Sequence, residues 1–63
     1  MDSTRADLAS VATALEELRS RVVAAADTER DRRHDDTAAA LYDVERSLLA
    51  ALRRIDSVVR GER

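Results

Sequence analysis

Apolar residues recur along this chain at steps of three and four. One series runs Leu8, Val11, Leu15, Leu18, Val22 and Ala25, and a second runs Leu41, Val44, Leu48, Ala51, Ile55 and Val58. Steps of this kind lay a single apolar stripe along a helix. The strict alternation that marks a strand is absent, and Ala, Leu, Arg and Glu, all good helix formers, fill much of the chain. The pattern predicts an all-α fold with two amphipathic helices, one over about residues 4–26 and one over about residues 37–60.

Between the two stripes, the segment 27–36 contains no apolar residue. It is the expected connector, with Thr28 or one of the Asp residues capping the second helix. An antiparallel pairing centred on Arg33 sets Leu8 opposite Val58, Val11 opposite Ile55, Leu15 opposite Ala51, Leu18 opposite Leu48, Val22 opposite Val44 and Ala25 opposite Leu41. This is the pattern of an antiparallel helical hairpin, a two-helix coiled coil. Because the connector holds neither Gly nor Pro, one continuous helix over about residues 4–60 is the alternative. Helix phase argues against it. Val22 and Leu41 lie 19 positions apart, which at about 100° per residue leaves the two stripes rotated by roughly 100° on a straight helix. A long-helix homodimer, with the first helix of one copy against the second helix of another, would be the domain-swapped form of the same contacts.

The helix ends carry their own signals. Thr4 stands three residues before Asp7, as in a capping box with Asp in place of Glu, and Asp2 and Asp7 complement the positive end of the helix dipole. Gly61 is the expected stop of the second helix. Acid-before-base pairs at helical spacing, Glu17 with Arg21, Glu29 with Arg33 and Asp56 with Arg60, suit solvated faces.

Size changes the picture. The chain has 63 residues, one aromatic side chain (Tyr42) and no cysteine, so it forms a single domain, 1–63, with no disulfide or thiolate-bound metal to reinforce it. Domains this short bury a small share of their surface and commonly need oligomerisation or very regular helix packing. The second helix carries Leu49, Leu52 and Val59 beside its stripe, with Tyr42 nearby, more apolar width than one partner helix covers, and the first adds Val23 together with Ala9, Ala12, Ala14 and Ala26, small side chains that permit close approach. The expectation is a homodimer of hairpins forming a four-helix bundle. Its interface would draw on Leu8, Val11, Leu15, Leu18, Val22, Leu41, Val44, Leu48, Leu49, Leu52, Ile55 and Val59.

Charge narrows the partners. The formal net charge is −2 with 38% charged residues, unlike the strongly basic footprint of nucleic-acid binders. Arg30, Arg32 and Arg33 are interleaved with Asp27, Glu29, Asp31, Asp35 and Asp36, which cancels their field, and only Tyr42 could stack on a base. No basic region followed by an apolar run opens the chain, and no apolar run approaches the ~20 residues that span a bilayer. The expected location is cytoplasmic, with no nucleic-acid or membrane partner. Every basic residue is Arg, and Lys, Asn and Gln are absent, a composition that suits a GC-rich bacterial genome.

Candidate chemistry is confined to the connector. Asp31, His34 and Asp35 are the candidate metal ligands, because Asp-x-x-His on a helix places a carboxylate and an imidazole on one face. The competing reading is a solvated polar turn. Ser10, Ser20, Ser47 and Ser57 have no evident base and orienting acid, Glu16 and Glu17 diverge on a helix, and Gly61 is the only glycine. No catalytic residue and no cofactor are therefore assigned. The sequence points to a non-enzymatic module for protein–protein contact and oligomerisation, partnered by itself or by another helical protein. Two alternatives stand beside it: a small regulatory partner, antitoxin-like or anti-sigma-like, that folds against another protein, and a metal-binding helical bundle.

Overall fold

The computed structural model describes residues 3–61. The chain forms two α-helices, α1 (Ser3–Asp31) and α2 (Asp35–Arg60), which pack against each other as a hairpin. The reversal takes three residues, 32–34, and brackets Arg33, the expected centre of the pairing. The connector is thus shorter than the polar stretch that announces it. Thr28, Glu29, Arg30 and Asp31 continue α1, because polarity alone does not end a helix while its backbone bonds can still form.

Two left-handed residues end the two helices. Arg33 has φ 68° and Gly61 has φ 75°. At the first, Arg33 N–H donates to the Arg30 carbonyl at 3.0 Å and His34 N–H to the Glu29 carbonyl at 2.9 Å. These are the two bonds of a Schellman motif with Arg33 in the place usually held by glycine. His34 also opens α2, since its carbonyl accepts from Ala38 N–H at 2.9 Å. It offers no side-chain cap, so the expectation that Thr28 or an Asp caps α2 is not met. Asp35 and Asp36 instead occupy the first turn of α2, where their charge meets the positive end of the helix dipole. At the far end Gly61 N–H donates to the Val58 carbonyl at 3.1 Å, and the expected stop is in place. Thr4 lies inside the first turn of α1, so the expected capping box does not mark the boundary, and Asp2 lies outside the described residues.

The helices meet along a line that differs from the expected seam. Among the described residues Ala26, Ala38 and Leu52 are buried, and the apolar Leu8, Ala12, Leu15, Val22, Val23, Leu41, Leu48, Leu49, Ile55 and Val59 are half-buried, as are Arg19 and Glu45. Leu8, Leu15, Val22, Leu41, Leu48 and Ile55 are thus in the seam as expected. Val11, Leu18, Ala25, Val44, Ala51 and Val58 are exposed. The physical reason is that a helix touching a single partner buries a narrow strip. That strip takes the alanines at 12, 26 and 38, where backbones can approach, and leaves the second residue of each heptad pair on its shoulder.

The result is a slab one helix thick. Its Cα envelope measures 48 × 19 × 10 Å and its radius of gyration is 14.4 Å, against about 11 Å for a compact chain of this length. Among the described residues, no helix is long and apolar enough to cross a membrane.

Candidate functional site

The slab has two unlike flanks. In both helices the residue after a contact position turns to one flank, and the residue three further on turns to the other. Because α1 and α2 run antiparallel, rows displaced in the same rotational sense lie on the same side of the hairpin.

The first flank carries the internally bonded polar side chains, with the half-buried Val23 and Leu49 among them. Arg19 lies at the seam and spans to the opposite helix. Its Nη1 donates to Glu45 Oε2 at 2.9 Å and its Nη2 to Glu16 Oε1 at 2.5 Å. Hydrogen bonding to Arg19 holds the Glu16 carboxyl below its ordinary value, although burial opposes the shift. Hydrogen bonds to Glu16, then to Glu45, raise the Arg19 guanidinium further, so it stays charged. Closer to the turn, the Tyr42 hydroxyl donates to Asp27 Oδ1 at 2.5 Å and accepts from Arg30 Nη1 at 3.2 Å. The bond to Asp27, with burial as the lesser cause, raises the phenol above its ordinary value. A shallow groove on this side is lined by Ala12, Thr13, Glu16, Glu17, Ser20 and Asp56.

The second flank is apolar and exposed. It carries Val11, Leu18 and Ala25 from α1 and Val44, Ala51 and Val58 from α2, each row at heptad spacing. Val11 is 43% exposed, Leu18 46%, Val44 45% and Val58 58%. These are the large apolar side chains that one hairpin does not cover. The expected interface set therefore divides: Val11, Leu18 and Val44 lie on this open flank, and Leu52 lies inside the hairpin. Val58 and the two alanines complete a surface that the periodicity located correctly but assigned to the internal seam.

The connector does not gather the candidate metal ligands. Asp31 ends α1, Asp35 begins α2, and His34 reaches back over the turn, its Nδ1 at 2.8 Å from Glu29 Oε1. A carboxylate only accepts, so Nδ1 carries the proton in this pair. Glu29 also accepts from Arg32 Nη1 at 3.3 Å, and the bond to His34, opposed by burial and aided by the charges of His34 and Arg32, sets its carboxyl below the ordinary value. Among the described residues no group of three or more His, Cys, Asp or Glu side chains is placed to share a metal ion. Glu29 is the partner that spacing missed; only the backbone reversal at Arg33 brings it under His34. Ion pairs three residues apart join Glu16 to Arg19, Asp27 to Arg30, Glu29 to Arg32 and Asp43 to Arg46.

No protein-family model matches the chain, and neither a curated protein nor a solved structure gives a significant match.

Proposed function

We propose that this protein is a non-enzymatic oligomerisation module, a helical hairpin that pairs with a second copy to form a four-helix bundle. One observation carries the reading: Val11, Leu18, Val44 and Val58 are exposed while only Ala26, Ala38 and Leu52 are buried among the described residues. A fully buried large aliphatic side chain contributes about 1.5–3 kcal/mol, and among the described residues no large side chain is fully buried. Ordering each residue costs on the order of 1.5 kcal/mol. A lone hairpin with this core does not offset that cost, and covering the open flank supplies the missing burial.

Area supports the same reading. The chain exposes 4787 Å², whereas a compact monomer of 7.0 kDa exposes about 4000 Å². The excess is comparable to the ~800 Å² that each partner buries in an interface of standard size.

Light scattering and circular dichroism on the untagged protein test the proposal. The expected result is a helical species of twice the chain mass. Leu48→Asp, which places a charge in the seam, is expected to abolish helix and assembly together. A stable helical monomer would refute the proposal. A monomer with little helix would refute it in favour of a regulatory protein that folds on a different partner.

A further inference from the structure

We infer that the bundle closes through the Val11–Leu18–Val44–Val58 flank, with the two hairpins head to tail. In that arrangement α1 lies on the partner's α1, α2 lies on the partner's α2, and the turns point to opposite ends. The inference rests on the proposed self-association and specifies its geometry.

The first argument is the contrast between flanks. Arg19, Glu16 and Glu45 form one network, and Tyr42, Asp27 and Arg30 form another, both on the flank facing away from Leu18. Covering that flank would dehydrate charged groups that are already mutually satisfied, at a cost in desolvation. Covering the other removes exposed Val and Leu side chains from water.

The second argument is self-complementarity. A two-fold interface needs a surface that matches itself after rotation. The apolar positions of α1 (8, 11, 15, 18, 22 and 25) are symmetric about the point between Leu15 and Leu18. Those of α2 (41, 44, 48, 51, 55 and 58) are symmetric about the point between Leu48 and Ala51. The pairing centred on Arg33 places these two points at one height, so a single two-fold axis across the flank serves both helices. Leu18 then meets the partner's Leu15, Val11 the partner's Val22, and Ala51 the partner's Leu48, large against small in the α2 layer.

The third argument is charge, and it chooses between the two possible orientations. The turn segment 27–36 holds five acids and three Arg. Turns at the same end would bring two such segments together. Turns at opposite ends bring each near the partner's open end, where Arg5, Arg53, Arg54 and Arg60 outnumber Asp7 and Asp56.

The test uses cysteine, which the native chain lacks. In the head-to-tail bundle, Leu18 and the partner's Leu18 flank the two-fold axis about 4.5 Å apart along the helices, within reach of a disulfide. Leu18→Cys is therefore expected to form a covalent dimer under mild oxidation at least tenfold faster than Ser20→Cys, which sits on the polar flank. Light scattering on the reduced variants separates two kinds of failure. A monomer overturns self-association itself. A dimer in which Leu18→Cys does not couple to itself, but a mixture of Leu18→Cys and Ala51→Cys forms mixed disulfides, overturns the orientation. A dimer in which Ser20→Cys couples fastest overturns the choice of flank.

Discussion

Arg33 and Gly61 do the same backbone work with unequal side chains. Both hold a left-handed φ at the end of a helix, 68° and 75°. For a residue with a Cβ that conformation costs roughly 1–2 kcal/mol, whereas glycine adopts it freely. Part of the difference is returned through the unfolded chain, which a glycine makes more flexible. Arg33→Gly is therefore expected to stabilise the protein by up to about 1 kcal/mol, read as a higher urea midpoint. Gly61→Ala is expected to lower stability by about 1 kcal/mol. A Cβ there would sit 3.7 Å from Arg5 Nη2, ordinary contact, so the loss would come from the backbone and not from a clash. Equal midpoints for Arg33→Gly and the native protein would show that the reversal carries no such strain. The Gly61 stop was legible because glycine announces it. The Arg33 reversal was not, because nothing in an arginine codon or its charged neighbours signals a left-handed backbone; only the centre of the pairing pointed there.

Tyr42 and Asp27 join the helices beside the turn, so their bond reports on the packing of the two elements. The hydroxyl donates to the carboxylate, which favours the neutral phenol and raises its pKa above the ordinary 10.0. A group whose folded pKa is raised contributes stability that is complete below its unfolded value and is lost as pH rises through the folded value. The expected titration of the phenol absorbance, clean because Tyr42 is the only aromatic residue, has a midpoint above 10.0. Asp27→Ala should return it toward 10.0, since the acceptor of the hydrogen bond, the first cause of the shift, is removed. A native midpoint at or below 10.0 would mean the bond does not persist in solution. At the opposite extreme, Glu16 and Glu29 have lowered values. Their contribution is complete above the ordinary carboxylate value of 4.5 and is lost as pH falls through the depressed values. Helix content should fall there.

The same element scale shows what periodicity could and could not read. Two stripes, two helices and the antiparallel reversal followed from residue spacing. Their assignment to a single seam did not hold, because a helix carries its heptad pairs on an arc wide enough for two neighbours and the chain provides one. Arg19 and Glu45 in the contact line were invisible to an apolar pattern: a long charged side chain can lie along a seam by its methylenes while its head finds a partner on the other helix. The buried Leu52 is the anchor of the contact. Leu52→Ala is expected to cost about 2–5 kcal/mol, enough to abolish most helical signal in circular dichroism. Retention of native helicity would place the core elsewhere.

At the scale of the whole molecule, the proposed pairing makes folding and association one equilibrium. For a hairpin that buries Ala26, Ala38 and Leu52, it predicts melting that depends on concentration. Raising the concentration a hundredfold stabilises a dimer by about 2.7 kcal/mol at 25 °C. Unfolding two chains of 63 residues releases entropy of about 2.1 cal/mol/K per residue. Together these predict a rise in Tm of about 10 °C between 1 and 100 times a starting concentration. Leu18→Asp puts a charge on the apolar flank, where a monomer tolerates it because Leu18 is already 46% exposed. A dimer does not tolerate it, because the carboxylate would be dehydrated without a partner. That variant should melt lower and lose helix, while Ser20→Asp, on the polar flank, keeps both the native Tm and its concentration dependence. A Tm independent of concentration, unmoved by Leu18→Asp, would make the slab self-sufficient and leave its apolar flank unexplained by self-association.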